Sequence, residues 1–326
     1  DRTQQAQLIQ WAKAGAMVAV ICNTVLDAQI LYAQLMSIGD IEVDLFHARF
    51  TTQDRMDREQ FVLNKYGKHA PRKGGLLIAS QVVEQSLDLD FDVIISQLAP
   101  IEFVIQRMGR LWRHDRNEDN ESNLVKRSSV IETPLFIVLC PTLEQVKKDV
   151  SSAYLASGYV YKNLRAMYRT QCYLDNLEAD YLEFPFAYRD ALEWVYAEAP
   201  HKDESEQLLN LAKAYENAQE ESFFDAILTS NQASKPLSDV DPRAALLTRE
   251  GEMSQQVVLF KEEGKLFHGG DYHQRSDRDK SAVSLSRKLA KGLLDPEYHC
   301  RKAIVGEDID YQQVGVCDAR FTQAVQ

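Results

Sequence analysis

Cysteine is scarce in this sequence, and long apolar runs are missing. The 326 residues hold five cysteines, an odd number, and no two of them form a C-x-x-C pair. This argues against a disulfide framework or a zinc knuckle and indicates a reducing cytoplasm. Runs such as LFIVLC (135–140) are far shorter than the roughly 20 residues that cross a bilayer. The first ten residues, DRTQQAQLIQ, do not read as a secretion signal, so we expect a cytoplasmic location and no membrane contact.

Positive charge is also in deficit over the chain as a whole. Lysine and arginine number 37 against 49 acidic residues, which gives a formal net charge of −12. That balance argues against a protein coated in nucleic acid. Residues 101–116 reverse the sign, with four arginines against two acidic residues. Because local charge governs contact with phosphates, this segment predicts a narrow surface for an anion.

Strand and helix patterns alternate over residues 1–140. The apolar strand patterns are MVAVIC (17–22), VDLFHA (43–48), GGLLIAS (74–80), DVIISQL (92–98) and PLFIVLC (134–140). Helical periodicity marks residues 24–36, 51–67 and 101–113. This alternation predicts an α/β lobe with a parallel sheet covered by helices on both faces. Ligands of such sheets bind beyond the carboxyl ends of the strands.

The remaining chain changes character twice. Helical periodicity continues through residues 141–235, and turn residues between β-rich runs such as QQVVLF follow. We therefore predict three regions: an α/β lobe at 1–140, a helical linker region at 141–235 and a small α+β C-terminal domain at 236–326.

Two neighbouring segments carry the chemistry. LLIASQVVEQSLDLDFDVIIS (76–96) ends a strand and leads into the next, and alone it is explained as well by a capped turn. APIEFVIQRMGRLWRH (99–114) places arginines among apolar residues. If the helix runs to residue 113, Gln106, Arg110 and Arg113 share one face and can point together at a polyphosphate. The alternative is an exposed basic face with surface salt bridges.

Together the two segments closely resemble motifs V and VI of superfamily-two helicases. The residues of QVVEQSLDLDFDVIIS and GRLWRH resemble those of the type I CRISPR-associated helicase-nuclease family. LFHARFTTQDRMDRE (45–59) and VAVICNTVLDAQILYAQL (18–35) resemble that family's motif IVa and motif IV region. The resemblance covers residues 1–140 and implies a second RecA-like helicase lobe. Beyond residue 140 only the order and character of the regions agree with the family.

The resemblance implies roles on the nucleotide side. Arg110 and Arg113 correspond to the catalytic arginine fingers, and Asp88 to the acid that touches the ribose. Gln106 and Arg107 are expected at the nucleotide, with Arg107 paired to an acid of the other lobe. Glu84, Asp90 and Asp92 are better explained as capping or ion-pair residues.

The resemblance also implies a DNA-binding side. Ser80 and Gln81 correspond to residues that contact a nucleic-acid phosphate, and His47 and Arg49 follow a strand end where a DNA backbone would lie. Thr24 ends the first strand and is a further candidate, although a plain helix cap explains it equally well. HGGDYH (268–273) is a weak metal signal, and we expect no metal site in this chain.

Several motifs of a complete motor are missing. The sequence has no G-x-x-x-x-G-K-[ST] loop, no DExH or DEAD box and no paired HD nuclease motif. We expect the phosphate-binding loop for ATP, the acid that holds Mg²⁺ and the nuclease metal ions to lie on an N-terminal nuclease and a first helicase lobe. We therefore expect the isolated chain to be inactive. The family implies 3′→5′ movement on single-stranded DNA and degradation of invader DNA after recruitment by the Cascade complex with its guide RNA. The alternatives are another superfamily-two helicase, acting on RNA or in repair, and a non-catalytic docking module.

Overall fold

A computed structural model of the chain describes residues 2–38, 41–84, 87–116, 126–179, 181–231, 254–262, 264–286, 289–290, 293–298, 300–305 and 311–316. The chain divides into two compact units. The first unit comprises Asp1–Gln97, Phe103–Leu139 and Ser254–Gln326, and the second comprises Leu98–Glu102 and Cys140–Met253.

A five-stranded parallel sheet forms the centre of the first unit. Its strands are β1 (Met17–Ile21), β2 (Val43–Phe46), β3 (Gly75–Ala79), β4 (Val93–Gln97) and β5 (Leu135–Leu139). They lie in the order β2-β3-β1-β4-β5. Ile21 pairs with both Ala79 and Ser96, and Ala79 pairs with Phe46, so four strands end level with one another. The loops that follow these strands therefore emerge side by side.

Helices cover both faces of this sheet, as the alternating pattern predicts. They are α1 (Arg2–Lys13), α2 (Val25–Ile38), α3 (Thr52–Tyr66) and α4 (Ile101–Met108). Successive residues of a strand point to opposite faces. Val18 and Val20 accordingly pack in one apolar core, and Ala19 and Ile21 pack in the other. The predicted α/β lobe is confirmed.

A small mixed sheet near the C-terminus also belongs to the first unit. Its elements are β6 (Ser254–Glu262), β7 (Lys265–Leu266), α10 (Arg275–Lys280), β8 (Ala282–Ser286), β9 (Leu293–Asp295), β10 (Cys300–Ile304) and α11 (Tyr311–Val314). β6 pairs in parallel with β10 and antiparallel with β7 and β8. Phe50, which follows β2, packs in the same core as Leu259, Phe267 and Tyr311. The predicted α+β character of this region is confirmed.

The second unit is helical where it is described. Its helices are α5 (Leu143–Lys148), α6 (Val150–Val160), α7 (Leu164–Asp175), α8 (Phe186–Val195) and α9 (Glu206–Asn231). A partly buried ion pair joins α7 to the segment before α9, where Arg165 Nη2 lies 3.0 Å from Glu204 Oε2. The predicted boundary at residues 235 and 236 lies outside the described residues and stays a prediction. No helix in the described ranges is both long and apolar enough to cross a bilayer.

Candidate nucleotide and nucleic-acid site

Hydrogen bonds tie together the loops at the carboxyl edge of the parallel sheet. The Ser80 N–H donates to Phe46 O at 3.1 Å, which joins the loop after β3 to the end of β2. Gln81 Nε2 donates to Asn23 O at 2.7 Å, which joins it to the loop after β1. The Asn23 N–H donates to Gln97 Oε1 at 2.6 Å, which adds the end of β4. The edge is thus one connected polar surface.

Arg107 is the central connection below this surface. Its side chain is fully buried, and its Nε lies 2.7 Å from Glu84 Oε1. Nη1 donates to Ser96 Oγ at 2.7 Å and to Gln97 O at 2.9 Å, and Nη2 donates to Asn23 Oδ1 at 3.0 Å. A buried guanidinium is tolerated because its donors and its charge are matched in this way. Burial raises the pKa of Glu84, and Arg107 works against that rise.

The expected partner of Arg107, an acid of another lobe, is therefore wrong. Glu84 comes from the same lobe, in the 3-10 turn Gln81–Glu84 that follows β3. The interpretation of Glu84 as an ion-pair residue is confirmed. A direct contact between Arg107 and a nucleotide stays a prediction.

Helix α4 is shorter than its sequence pattern predicts. It ends at Met108, and the chain then runs beside Phe91. The Phe91 N–H donates to Arg110 O at 2.9 Å, and the Trp112 N–H donates to Phe91 O at 3.0 Å. Leu111 packs against the core below the sheet, and this burial favours the extended conformation over a longer helix. The argument that Gln106, Arg110 and Arg113 share one helix face is therefore wrong.

Arg113 nevertheless forms an ion pair with Asp88. Arg113 Nε lies 2.7 Å from Asp88 Oδ1, and His114 Nε2 lies 2.8 Å from the same oxygen. Burial alone would raise the pKa of Asp88, but the bonds and charges of His114 and Arg113 outweigh burial and lower the pKa. The structure thus brings together two residues predicted at the nucleotide.

Arg110 lies near Arg113, and the charges of Asp88 and Glu84 partly offset the repulsion between the two guanidiniums. Its Nη2 donates to Glu84 O at 3.2 Å, whereas its Nε is buried and has no hydrogen-bond partner among the described residues. Partial burial lowers the pKa of Arg110, and so does the charge of Arg113. Gln106 is exposed on α4. Two adjacent guanidiniums at this edge are suited to a polyphosphate, which presents several oxygens with negative charge.

A second buried cluster lies behind Arg113. Asp90 and Asp92 are fully buried, and Arg72, Arg116 and Arg127 surround them. The interpretation of both acids as ion-pair residues is confirmed. Sequence reasoning missed Arg72 and Arg127, because nothing in their local wording connects them with residues 88–92.

The expectation that His47 contacts DNA needs correction. Its ring is fully buried, with Nε2 3.0 Å from Val314 O. Nδ1 accepts the Arg49 N–H at 3.1 Å, and the ring stacks on Phe50. Burial lowers the pKa of His47 to about 3. His47 therefore joins α11 to the loop after β2 and has no surface to offer a nucleic acid.

The other DNA candidates differ in their exposure. Ser80 is 1% exposed, which leaves no surface for a phosphate, so this expectation also needs correction. Thr24 is half-buried, and its Oγ1 accepts the Asp27 N–H at 3.0 Å as a helix cap does. Gln81 and Arg49 are also half-buried. The remaining candidates for DNA contact are thus Thr24, Gln81 and Arg49, each following a different strand.

The two histidines of the HGGDYH turn contact different parts of the chain. His268 Nε2 lies 2.7 Å from Thr51 Oγ1, at the start of α3. His273 Nδ1 lies 2.9 Å from Tyr298 Oη. The two rings therefore serve different packing contacts.

Comparison with known proteins agrees with this geometry. The family described as "CRISPR-associated nuclease/helicase Cas3, C-terminal" matches residues 14–116. The chain is 37% identical over 295 residues to the CRISPR-associated endonuclease/helicase Cas3 of Escherichia coli K12, covering 88% of this chain and 31% of that protein. This chain belongs to the Cas3 family. It corresponds to the C-terminal part of a Cas3 helicase-nuclease.

Solved structures share the fold. Cas3 of T. fusca with AMPPNP superposes with a TM-score of 0.70 at 22% identity, covering 93% of this chain and 37% of that one. A chain of a structure described as "CRISPR RNA-guided surveillance complex, pre-nicking" gives 0.58 at 22% identity, covering 94% and 39%. The predicted RecA-like α/β fold is confirmed, and the bounds of the lobe at residues 1 and 140 stay a prediction. The chain spans well under half the length of these relatives.

Proposed function

We propose that this chain is the C-terminal motor part of a cytoplasmic Cas3 enzyme. In this proposal the complete protein moves 3′→5′ on single-stranded DNA by ATP hydrolysis and feeds the DNA to a nuclease. The observation that carries the proposal is the pair Arg110 and Arg113 at the carboxyl edge of the sheet, next to Asp88. A docking module has no need for two adjacent guanidiniums of which one has an unmatched, buried Nε.

The ion pair of Arg113 with Asp88 is weak enough for a phosphate group to replace Asp88. Its two side chains are 38% and 46% exposed, so the pair contributes about 1 kcal/mol or less. A γ-phosphate with its developing charge would compete effectively for the planar guanidinium. Asp88 is then released to accept a hydrogen bond from the ribose. We assign Arg110 and Arg113 as fingers and Gln106 as a further nucleotide contact.

Arg107 fits a supporting role better than direct contact. It binds Glu84 through the carboxylate, while Arg110 binds the backbone oxygen of the same residue. Arg107 therefore fixes the turn on which Arg110 rests. In the proposal it positions the finger and does not touch ATP.

The cofactors of the complete enzyme rest mainly on residues outside this chain. Arg110 and Arg113 supply cations for phosphate oxygens, whereas Asp90 and Asp92 are occupied by arginines and are not free for Mg²⁺. We propose that the first helicase lobe holds ATP with Mg²⁺ and that the nuclease domain holds its own metal ions. The AMPPNP complex of T. fusca Cas3 supports nucleotide use in the family.

DNA and a surveillance complex are the proposed partners. Thr24, Gln81 and Arg49 would contact the backbone of single-stranded DNA, because they follow neighbouring strands at one edge. A chain of similar fold in a structure described as a CRISPR RNA-guided surveillance complex supports recruitment by Cascade.

Finger variants test the proposal in the full-length protein. Arg110→Ala or Arg113→Ala should lower kcat for DNA-stimulated ATP hydrolysis by about 10³-fold, as in other arginine-finger enzymes. ATP affinity should change much less, and Arg→Lys should restore little activity because an ammonium lacks the planar fork. Arg189→Ala is the control, since that arginine is 83% exposed on α8. An unchanged kcat with a lowered melting temperature would show that both arginines are structural.

A further inference from the structure

We propose that Arg127 is a positioning residue for Arg113, acting through the buried carboxylate of Asp90. The inference rests on the proposed finger role of Arg113. It assigns a function to a residue that lies 14 positions beyond the finger in the sequence.

Asp90 joins Arg127 to the backbone of the finger. The Arg113 N–H donates to Asp90 Oδ1 at 3.1 Å, and Arg127 Nη2 lies 3.0 Å from the same oxygen. Arg127 Nη2 also donates to His114 O at 2.8 Å, and its Nη1 lies 3.1 Å from Asp92 Oδ1. The Arg127 guanidinium therefore bonds both His114, the residue after Arg113, and Asp90, which accepts the Arg113 N–H.

The residue before the finger meets the same guanidinium. Trp112 has φ +44°, a conformation that costs a residue with a Cβ about 1 kcal/mol or more. Such a conformation persists only where surrounding contacts impose it. The Arg127 guanidinium lies 4.7 Å from the centre of the Trp112 ring, within the range of a cation–π contact. Arg127 thus contacts both neighbours of Arg113, beyond the end of α4.

Charge balance argues that this contact is positional. Three arginines (Arg72, Arg116 and Arg127) surround two buried acids, so the cluster carries one positive charge in excess. Removing Arg127 leaves two arginines for two acids, and neutrality of the cluster does not require the third. What is lost is the hold on Trp112 and His114.

A displaced finger should lower turnover more than binding. A shift of about 1 Å at a catalytic group can reduce a rate by about 10²-fold. We therefore expect Arg127→Met, which keeps an unbranched apolar stem and removes the charged guanidinium, to lower kcat for ATP hydrolysis by 10- to 100-fold. The KM for ATP should stay within about twofold, since the finger acts mainly in the transition state.

Arg72→Met is the matched control. Arg72 belongs to the same cluster, with Nη1 3.5 Å from Asp90 Oδ2, and it bonds Asp90 O at 2.9 Å and the Asp92 carboxylate. Unlike Arg127, it has no hydrogen bond or ring contact with Trp112 or His114 among the described residues. Both variants remove one buried arginine and leave a balanced cluster. DNA-stimulated kcat and KM are measured for both in the full-length protein, alongside Arg113→Ala and Arg127→Lys. A structural readout comes from Trp112 emission in this chain with Trp11→Phe and Trp194→Phe, which leaves Trp112 as the single tryptophan.

The proposal predicts a large fall of kcat in Arg127→Met, a small one in Arg72→Met and partial recovery in Arg127→Lys. It also predicts that Trp112 emission shifts in Arg127→Met only. If Arg113→Ala lowers kcat but Arg127→Met does not, or Arg72→Met lowers it equally, the positioning role is refuted. If Arg113→Ala itself leaves kcat unchanged, the finger role fails instead. An unshifted Trp112 emission in Arg127→Met would refute the proposed hold on the segment even then.

Discussion

The buried imidazole of His47 should make the stability of the first unit depend on pH. Its Nδ1 accepts the Arg49 N–H, so the proton sits on Nε2 and is donated to Val314 O. Protonation of Nδ1 would break the first bond and bury a charge, which agrees with the lowering of the pKa to about 3. The unfolded chain, with a histidine pKa of about 6.5, binds the proton more readily. The contribution of neutral His47 to the free energy of unfolding is therefore fully present above about pH 6.5 and falls as the pH drops toward 3.

The size of the effect follows from linkage. Each pH unit below about 6.5 should cost about 1.4 kcal/mol, so the step from pH 7.5 to 5.0 should cost about 2 kcal/mol. Urea unfolding of the Trp194→Phe chain measures this, because its remaining tryptophans, Trp11 and Trp112, lie in the first unit. His47→Gln keeps a donor for Val314 O and removes the titration, so its free energy of unfolding should lose about 2 kcal/mol of this pH dependence. Equal pH dependence in both chains would refute the reasoning.

Two further predictions concern the loop after β2. Gly315 has φ +69°, and an added Cβ would lie 2.5 Å from Arg49 O, so Gly315→Ala should destabilise the first unit by about 2–4 kcal/mol. Gly264→Ala, with φ +77° and open space around the Cβ, should cost only about 1 kcal/mol, and equal losses in urea unfolding would contradict the close contact. Binding of the full-length protein to single-stranded DNA should weaken steeply with salt, and Arg49→Ala should reduce the slope of log affinity against log salt by about 0.7. An unchanged slope would remove Arg49 from the interface.

The sequence predicts the strands of the parallel sheet well, because each is a continuous apolar run whose burial on two faces needs no distant information. The end of α4 is a different case. Residues 101–113 have helical periodicity, but pairing with Phe91 and packing of Leu111 outweigh it. That competition depends on a segment more than ten residues away and is invisible in a local window.

Some residues of the candidate site could also be predicted from local sequence, and others could not. Arg110, Arg113 and Asp88 could be found because they lie inside two adjacent motifs. The burial of His47 could not, since it arises from α11, more than 260 residues further along the chain. Arg127 gives no local signal either, because its role depends on the fold bringing it to Asp90. Long-range packing decided which candidates keep an exposed surface.

The central claim is that Arg110 and Arg113 stabilise charge that develops on the transferring phosphate. Binding of ADP and of ADP with aluminium fluoride, which mimics the transferring phosphoryl group, tests this most directly in full-length Arg110→Ala and Arg113→Ala proteins. The account predicts ADP affinity within about twofold of the parent and a loss of about 10²-fold or more for the fluoride complex, because a finger acts chiefly in the transition state. Equal changes in both affinities, or none in either, would contradict it.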